Sequence, residues 1–73
     1  MRIKVINPNT TPSMTGTIAA AARAVAAPGT EIVAVTSPTG PVSIESHYDE
    51  AISVVGMLEE VRRGEEENLD GYV

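Results

Sequence analysis

A chain of 73 residues with a formal charge of −5 and an isoelectric point near 4.6 has room for one thin core, and it lacks the basic surface that nucleic acid or an anionic membrane would require. Phe and Trp are absent and only two Tyr are present, so the core must be built from Val, Ile, Leu, Met and Ala without large buried rings. With no cysteine, disulfides, thiolate metal ligands and a thiol nucleophile are all excluded within these residues.

The first apolar run, Ile3, Val5 and Ile6 around Lys4, predicts a β-strand that stops at Pro8, which has no backbone N–H to donate. It turns into Asn-Pro too soon to form the apolar stretch of a signal peptide, so a soluble cytoplasmic protein is expected. Thr11 suits the N-cap of a following helix and Pro12 its first turn. Met14, Ile18, Ala21 and Val25 then recur at helical spacing as the expected buried stripe. The alanine-rich segment 19–27 carries Arg23 and is too short to cross a bilayer of ~30 Å. Pro28-Gly29 ends the helix, and the β-branched run Glu31 to Thr36 predicts a second strand.

Residues 37–42, with two prolines and a glycine, predict an ordered loop. A second helix starts either at Ser43 as cap or three residues later, where Ser46 and Asp49 fit a capping box. Ile44, Tyr48, Ala51, Val55 and Leu58 are its expected buried face. Arg62 and Arg63 suit its C-terminal end, and Gly64 a left-handed cap. Glu59, Glu60 and Glu65 to Glu67 are most simply a solvated acidic face. The closing Leu69 to Val73 predicts the approach to a third strand. This alternation favours an α/β fold: a parallel, flavodoxin-like sheet in the order two, one, three with flanking helices. Three strands do not complete such a sheet, so a truncated β-α-β-α-β start of a larger domain is expected.

In open parallel sheets ligands bind beyond the carboxyl ends of the strands. Asn7 to Thr11 lies at that end of strand one, and Thr36 to Glu45 at that end of strand two. Asn7 and Asn9 offer amide donors and acceptors and Thr10 a hydroxyl, a set suited to a planar carboxylate or imide; the same residues also serve as plain turn formers. Ser43 and Ile44 have the same double character, as cap and core contact or as crevice lining. His47, the only histidine, has no second nitrogen or sulfur ligand with which to build a metal site; it is either a proton shuttle or an exposed helical residue. Neither G-x-G-x-x-G nor G-x-x-x-x-G-K-[ST] occurs, which removes the main support for nucleotide binding.

The segments "VINPNTTPSMT", "PGTEIVAV", "GPVSIESHYDEA" and "DGYV", together and at this spacing, resemble the N-terminal part of hydantoin racemases. Allantoin racemases look closely similar, and the wider aspartate/glutamate racemase superfamily is related more distantly. The resemblance covers essentially the whole chain. It implies a cytoplasmic, homo-oligomeric isomerase of two α/β domains, with residues 1–73 beginning the first domain and the second domain absent. No cofactor or metal is implied. The substrate implied is a small molecule, a 5-substituted hydantoin or allantoin. One cysteine removes the proton from the stereogenic carbon and a second returns one from the opposite face. Carried over by position, Asn7, Asn9 and Thr10 hold the polar edge of the substrate, while Ser43 and Ile44 line its other side. Both cysteines of the family pattern lie outside these 73 residues, so no catalytic residue is assigned among them and the chain alone is expected to be inactive. A non-catalytic α/β module holding a small metabolite or anion is the alternative. A receiver-like domain is disfavoured, because strand one ends in Asn-Pro-Asn rather than in acidic residues.

Overall fold

The computed structural model describes all residues, 1–73. Strand β1 (Arg2–Asn7) is followed by helix α1 (Pro12–Val25), strand β2 (Glu31–Thr36), helix α2 (His47–Gly64) and the short strand β3 (Gly71–Tyr72). The sheet is parallel throughout in the order β2-β1-β3, so the first strand is central. Its side chains alternate between faces: Asn7 meets α1 and Lys4 meets α2. No helix is long and apolar enough to cross a membrane.

The phase of α1 differs from the apolar stripe expected of it. Ala19 is its only fully buried residue, Thr15, Ile18 and Ala22 are half-buried, and Met14 and Val25 are exposed. The reason is polar. The Asn7 amide donates to Thr15 Oγ1 at 3.0 Å, and Thr15 Oγ1 lies 2.7 Å from Thr36 Oγ1, so the helix turns its Thr15-Ala19-Ala22 line toward the sheet. Small side chains on that line let the backbone approach. The larger residues are left along an open apolar trough of about 600 Å³, bordered by Ile3, Val5, Ile18, Val25, Ile32 and Val73.

Helix α2 departs further from expectation. It begins at His47 with Ser46 as N-cap, the Ser46 hydroxyl accepting from the Asp49 N–H at 3.2 Å; the later of the two starts is the one formed. Its buried residues are Ser53, Gly56, Glu60 and Gly64, whereas Tyr48, Val55 and Leu58 are exposed. Glu60 is therefore not part of a solvated face. Lys4, only 1% exposed, donates from Nζ to Glu60 O at 2.7 Å and to Glu67 Oε1 at 3.0 Å, and its Nζ lies 3.1 Å from Glu60 Oε2. The other Glu60 oxygen accepts from Arg63 at 2.8 Å. Burying an ammonium and a carboxylate is tolerable only with such complete pairing, and this pairing fixes which face of α2 meets β1.

The two glycines of that face permit close contact. A Cβ at Gly56 would collide with Ser37 Oγ and come within 2.6 Å of Thr39 O; one at Gly64 would lie 2.6 Å from the Tyr72 ring. Gly64 is thus a helical contact residue and not the expected left-handed cap. The left-handed position is Asn68, with φ of 56°, a conformation that Asn tolerates better than most residues. Tyr72 donates from its hydroxyl to Glu65 Oε2 at 2.9 Å, and desolvation followed by that carboxylate pushes its phenol above the ordinary tyrosine range.

Two outcomes follow from this packing. Lys4→Met, which leaves the buried Glu60 carboxylate with Arg63 as its only cation, lowers unfolding stability by about 3 kcal/mol in urea titrations, and Lys4→Met combined with Glu60→Leu recovers much of the loss. Gly56→Ala lowers the urea midpoint by an amount equivalent to about 1–3 kcal/mol, because the Ser37–Thr39 turn must move to admit one methyl group.

Candidate functional site

At the carboxyl end of β1 the chain folds back on a single buried carboxamide. Asn7 is 1% exposed, and its Nδ2 donates to Asn9 Oδ1 at 2.8 Å, Thr11 O at 3.2 Å and Thr15 Oγ1 at 3.0 Å. Its Oδ1 accepts from the Asn9 N–H at 3.2 Å. Asn9 Oδ1 accepts a further bond from the Thr11 N–H at 2.9 Å, and Asn9 Nδ2 faces the soft Met14 sulfur at 3.0 Å. A side-chain carbonyl taking a backbone N–H two residues on is the bond of an Asx-turn, and it occurs here twice in succession. Pro8 adds no backbone donor of its own.

The second loop is tied directly to this turn. The Thr10 N–H donates to Pro41 O at 3.0 Å, the Thr10 hydroxyl to the same oxygen at 3.3 Å, and the Thr11 hydroxyl to Val42 O at 2.7 Å. The Ser37 N–H donates to Asn7 O at 2.9 Å, which carries the β1–β2 pairing one residue past the strand ends. The two loops read from the sequence as facing one crevice are therefore joined at the end of the sheet. Ser43 and Ile44 come immediately after the joined residues. Ser43 is exposed, and Ile44 is half-buried at the edge of a shallow polar hollow of about 470 Å³ that is lined further by Glu45, Ser46, His47 and Glu50 and not by Ser43.

These positions differ in what they leave available. Asn7 and Asn9 are buried, and the Asn7 amide is occupied within the turn. Thr10 is half-buried and Ser43 open to solvent. The His47 ring stands fully exposed with Nδ1 3.1 Å from Glu50 Oε2, as an exposed helical histidine does. No three His, Asp or Glu side chains gather as a metal cage. Chemically the region consists of hydroxyls and peptide groups set by an internal amide network, with no charged side chain among them. The carbonyls of Pro41 and Val42, which bind the two loops together, were invisible in sequence because every residue carries one.

Comparison with known proteins places these features in a family. Residues 3–73 match the family model described as Asp/Glu/Hydantoin racemase. A hydantoin racemase from Pseudomonas sp. (strain NS671) is 55% identical over the whole chain, which covers 29% of that protein. A hydantoin racemase from Paenarthrobacter aurescens is 47% identical, again over the whole chain and 31% of the relative. The structure of an allantoin racemase from Klebsiella pneumoniae superposes with a TM-score of 0.96 at 62% identity, over 99% of this chain and 29% of that one. The chain thus spans under a third of the length of each of these relatives.

The Asn7 network has a direct test. Asn7→Asp keeps the shape but replaces a donor by an oxygen that faces the acceptors Asn9 Oδ1 and Thr11 O, and unfolding stability at neutral pH falls by about 2 kcal/mol or more. The same experiment on Thr17→Val, whose hydroxyl lies on an exposed part of α1, gives a change within about 0.5 kcal/mol.

Proposed function

This chain belongs to the Asp/Glu/Hydantoin racemase family, and on that premise we propose that the intact protein inverts the stereogenic carbon of 5-substituted hydantoins or of allantoin. Allantoin is itself a hydantoin carrying a ureido group on that carbon, so the two substrates share the ring that must be recognised. The observation that carries the proposal is the identity to named hydantoin and allantoin racemases along the entire chain.

The reaction is a 1,1-proton transfer that needs no cofactor. A thiolate on one face removes the proton, and the electron pair left on carbon delocalises into the adjacent ring carbonyl as an enolate. A thiol on the other face then protonates the carbon and becomes the thiolate, so the two sulfurs exchange states with each turnover. A polar pocket that favours the thiolate makes sulfur a competent base near neutral pH. These 73 residues contain no cysteine, and both sulfurs are assigned to residues outside them.

The role of this segment is substrate binding, as the beginning of the first of two α/β domains. Of the Asn7, Asn9 and Thr10 set, Thr10 meets the amide edge of the ring, the buried Asn7 and Asn9 take part by fixing the turn that presents it, and Ser43 with Ile44 lines the opposite side. The joining of the two loops through Thr10 and Thr11 supports this assignment, since it gives the ring one bounded edge instead of two independent loops.

Polarimetry on a single enantiomer of allantoin and of a 5-alkylhydantoin tests the proposal. The intact protein is expected to drive the rotation of at least one of them to zero and to exchange the carbon-bound hydrogen for deuterium in D₂O. A thiol-alkylating reagent abolishes both effects and a metal chelator neither, while residues 1–73 alone leave the rotation at the uncatalysed rate. Stable rotation of both substrates with the intact protein would exclude the assignment.

A further inference from the structure

We propose that Thr11 is a positioning residue: its hydroxyl sets the Ser43–Ile44 loop against the Asn7–Thr10 turn and so fixes the width of the substrate edge. The effect on activity rests on the racemase assignment above; the tether itself does not.

Thr11 occupies the N-cap of α1 with extended backbone angles (φ −98°, ψ 105°), yet its side chain makes no capping bond. A threonine there ordinarily accepts from an N–H in the first helical turn. Here the hydroxyl is directed away from the helix and donates to Val42 O at 2.7 Å. The helix loses little by this, because Pro12 at the first position has no N–H to satisfy and Thr11 O already accepts from the Met14 and Thr15 N–H groups at 3.2 and 3.4 Å.

The loop has few other means of holding its place. No helix or strand covers residues 37–46; Ser37 is buried, but Val42 is 71% exposed, so burial does not anchor the loop at Val42. Ser37 Oγ fixes the loop's beginning by donating to Thr39 O at 2.7 Å, and the Glu45 N–H fixes its end by donating to Asp49 Oδ2 at 3.0 Å. Between them Thr10 holds Pro41, in part through its main chain, and the Thr11 hydroxyl holds the peptide that leads directly into Ser43. Removing that hydroxyl frees the Ser43–Ile44 segment while leaving the Asn turn bonded.

The experiment compares Thr11→Val and Thr11→Ser in the intact protein. Thr11→Val keeps the β-branched shape without the hydroxyl; KM is expected to rise about 3- to 10-fold, the equivalent of one ordinary hydrogen bond, with a smaller change in kcat. Amide hydrogen exchange in residues 42–46 speeds up while that of α1 does not. Thr11→Ser restores the hydroxyl and most of the loss in both readouts. Unchanged KM and unchanged loop exchange in Thr11→Val overturn the proposal, as does an equal loss in both variants, which would assign the effect to the methyl group. If the parent protein shows no racemisation at all, the functional assignment fails, while the exchange measurement still decides whether the tether exists.

Discussion

The carboxyl end of this sheet depends on one buried amide. Asn7 ends the central strand, and the hydrogen bonds of its carboxamide reach the turn, the first helix and, through Thr15, the end of β2. A side chain so enclosed must place every donor and acceptor, because each one left unpaired costs the full desolvation of that group. Satisfying them fixes the path of residues 8–11, the rotation of α1 and the direction in which Thr10 and Thr11 point. The middle of the loop between β2 and α2 is then held by those two threonines.

A second polar constraint acts on the opposite face. Lys4 lies three residues before Asn7 and therefore on the other side of the strand. Its ammonium is held by Glu60 and Glu67, and α2 docks through this charge pair and through glycine contacts instead of through its apolar residues. The wholly buried apolar side chains are confined to Val5, Ile6 and Ala19. Within these residues hydrogen bonds and ion pairs set the orientation of both helices, and the larger apolar side chains lie at the surface or along the open trough of a segment that spans under a third of its relatives' length. Glycine serves the same end on α2, where closeness to the Ser37–Thr39 turn and to Tyr72 leaves no space for a side chain.

The two polar systems divide the work of the fold. The Lys4 cluster holds α2 to the sheet, and the Asn7 cluster orders the turn that joins the two loops at the carboxyl end of the sheet. Proximity and orientation are the chief contribution a binding loop can make to a reaction whose chemistry occurs on other groups. Under the proposed racemase function, that contribution is the one assigned to this segment.

The sequence by itself determined the alternation of strands and helices, the parallel order with the first strand at the centre, the later helix start as one of two openings, and the family. Proline, glycine, capping residues and β-branched runs act over a few residues, so they are legible without tertiary structure. Reading the strand ends also found the two polar loops that meet at the end of the sheet. Only the tertiary structure decided which helix faces are buried, that Glu60 pairs with Lys4 across 56 positions, that Gly64 is a contact and not a cap, and that Thr11 reaches Val42 instead of capping its own helix. Each of those depends on a partner distant in the chain, often a backbone carbonyl, and apolar periodicity gives no sign of a helix whose docking face is polar.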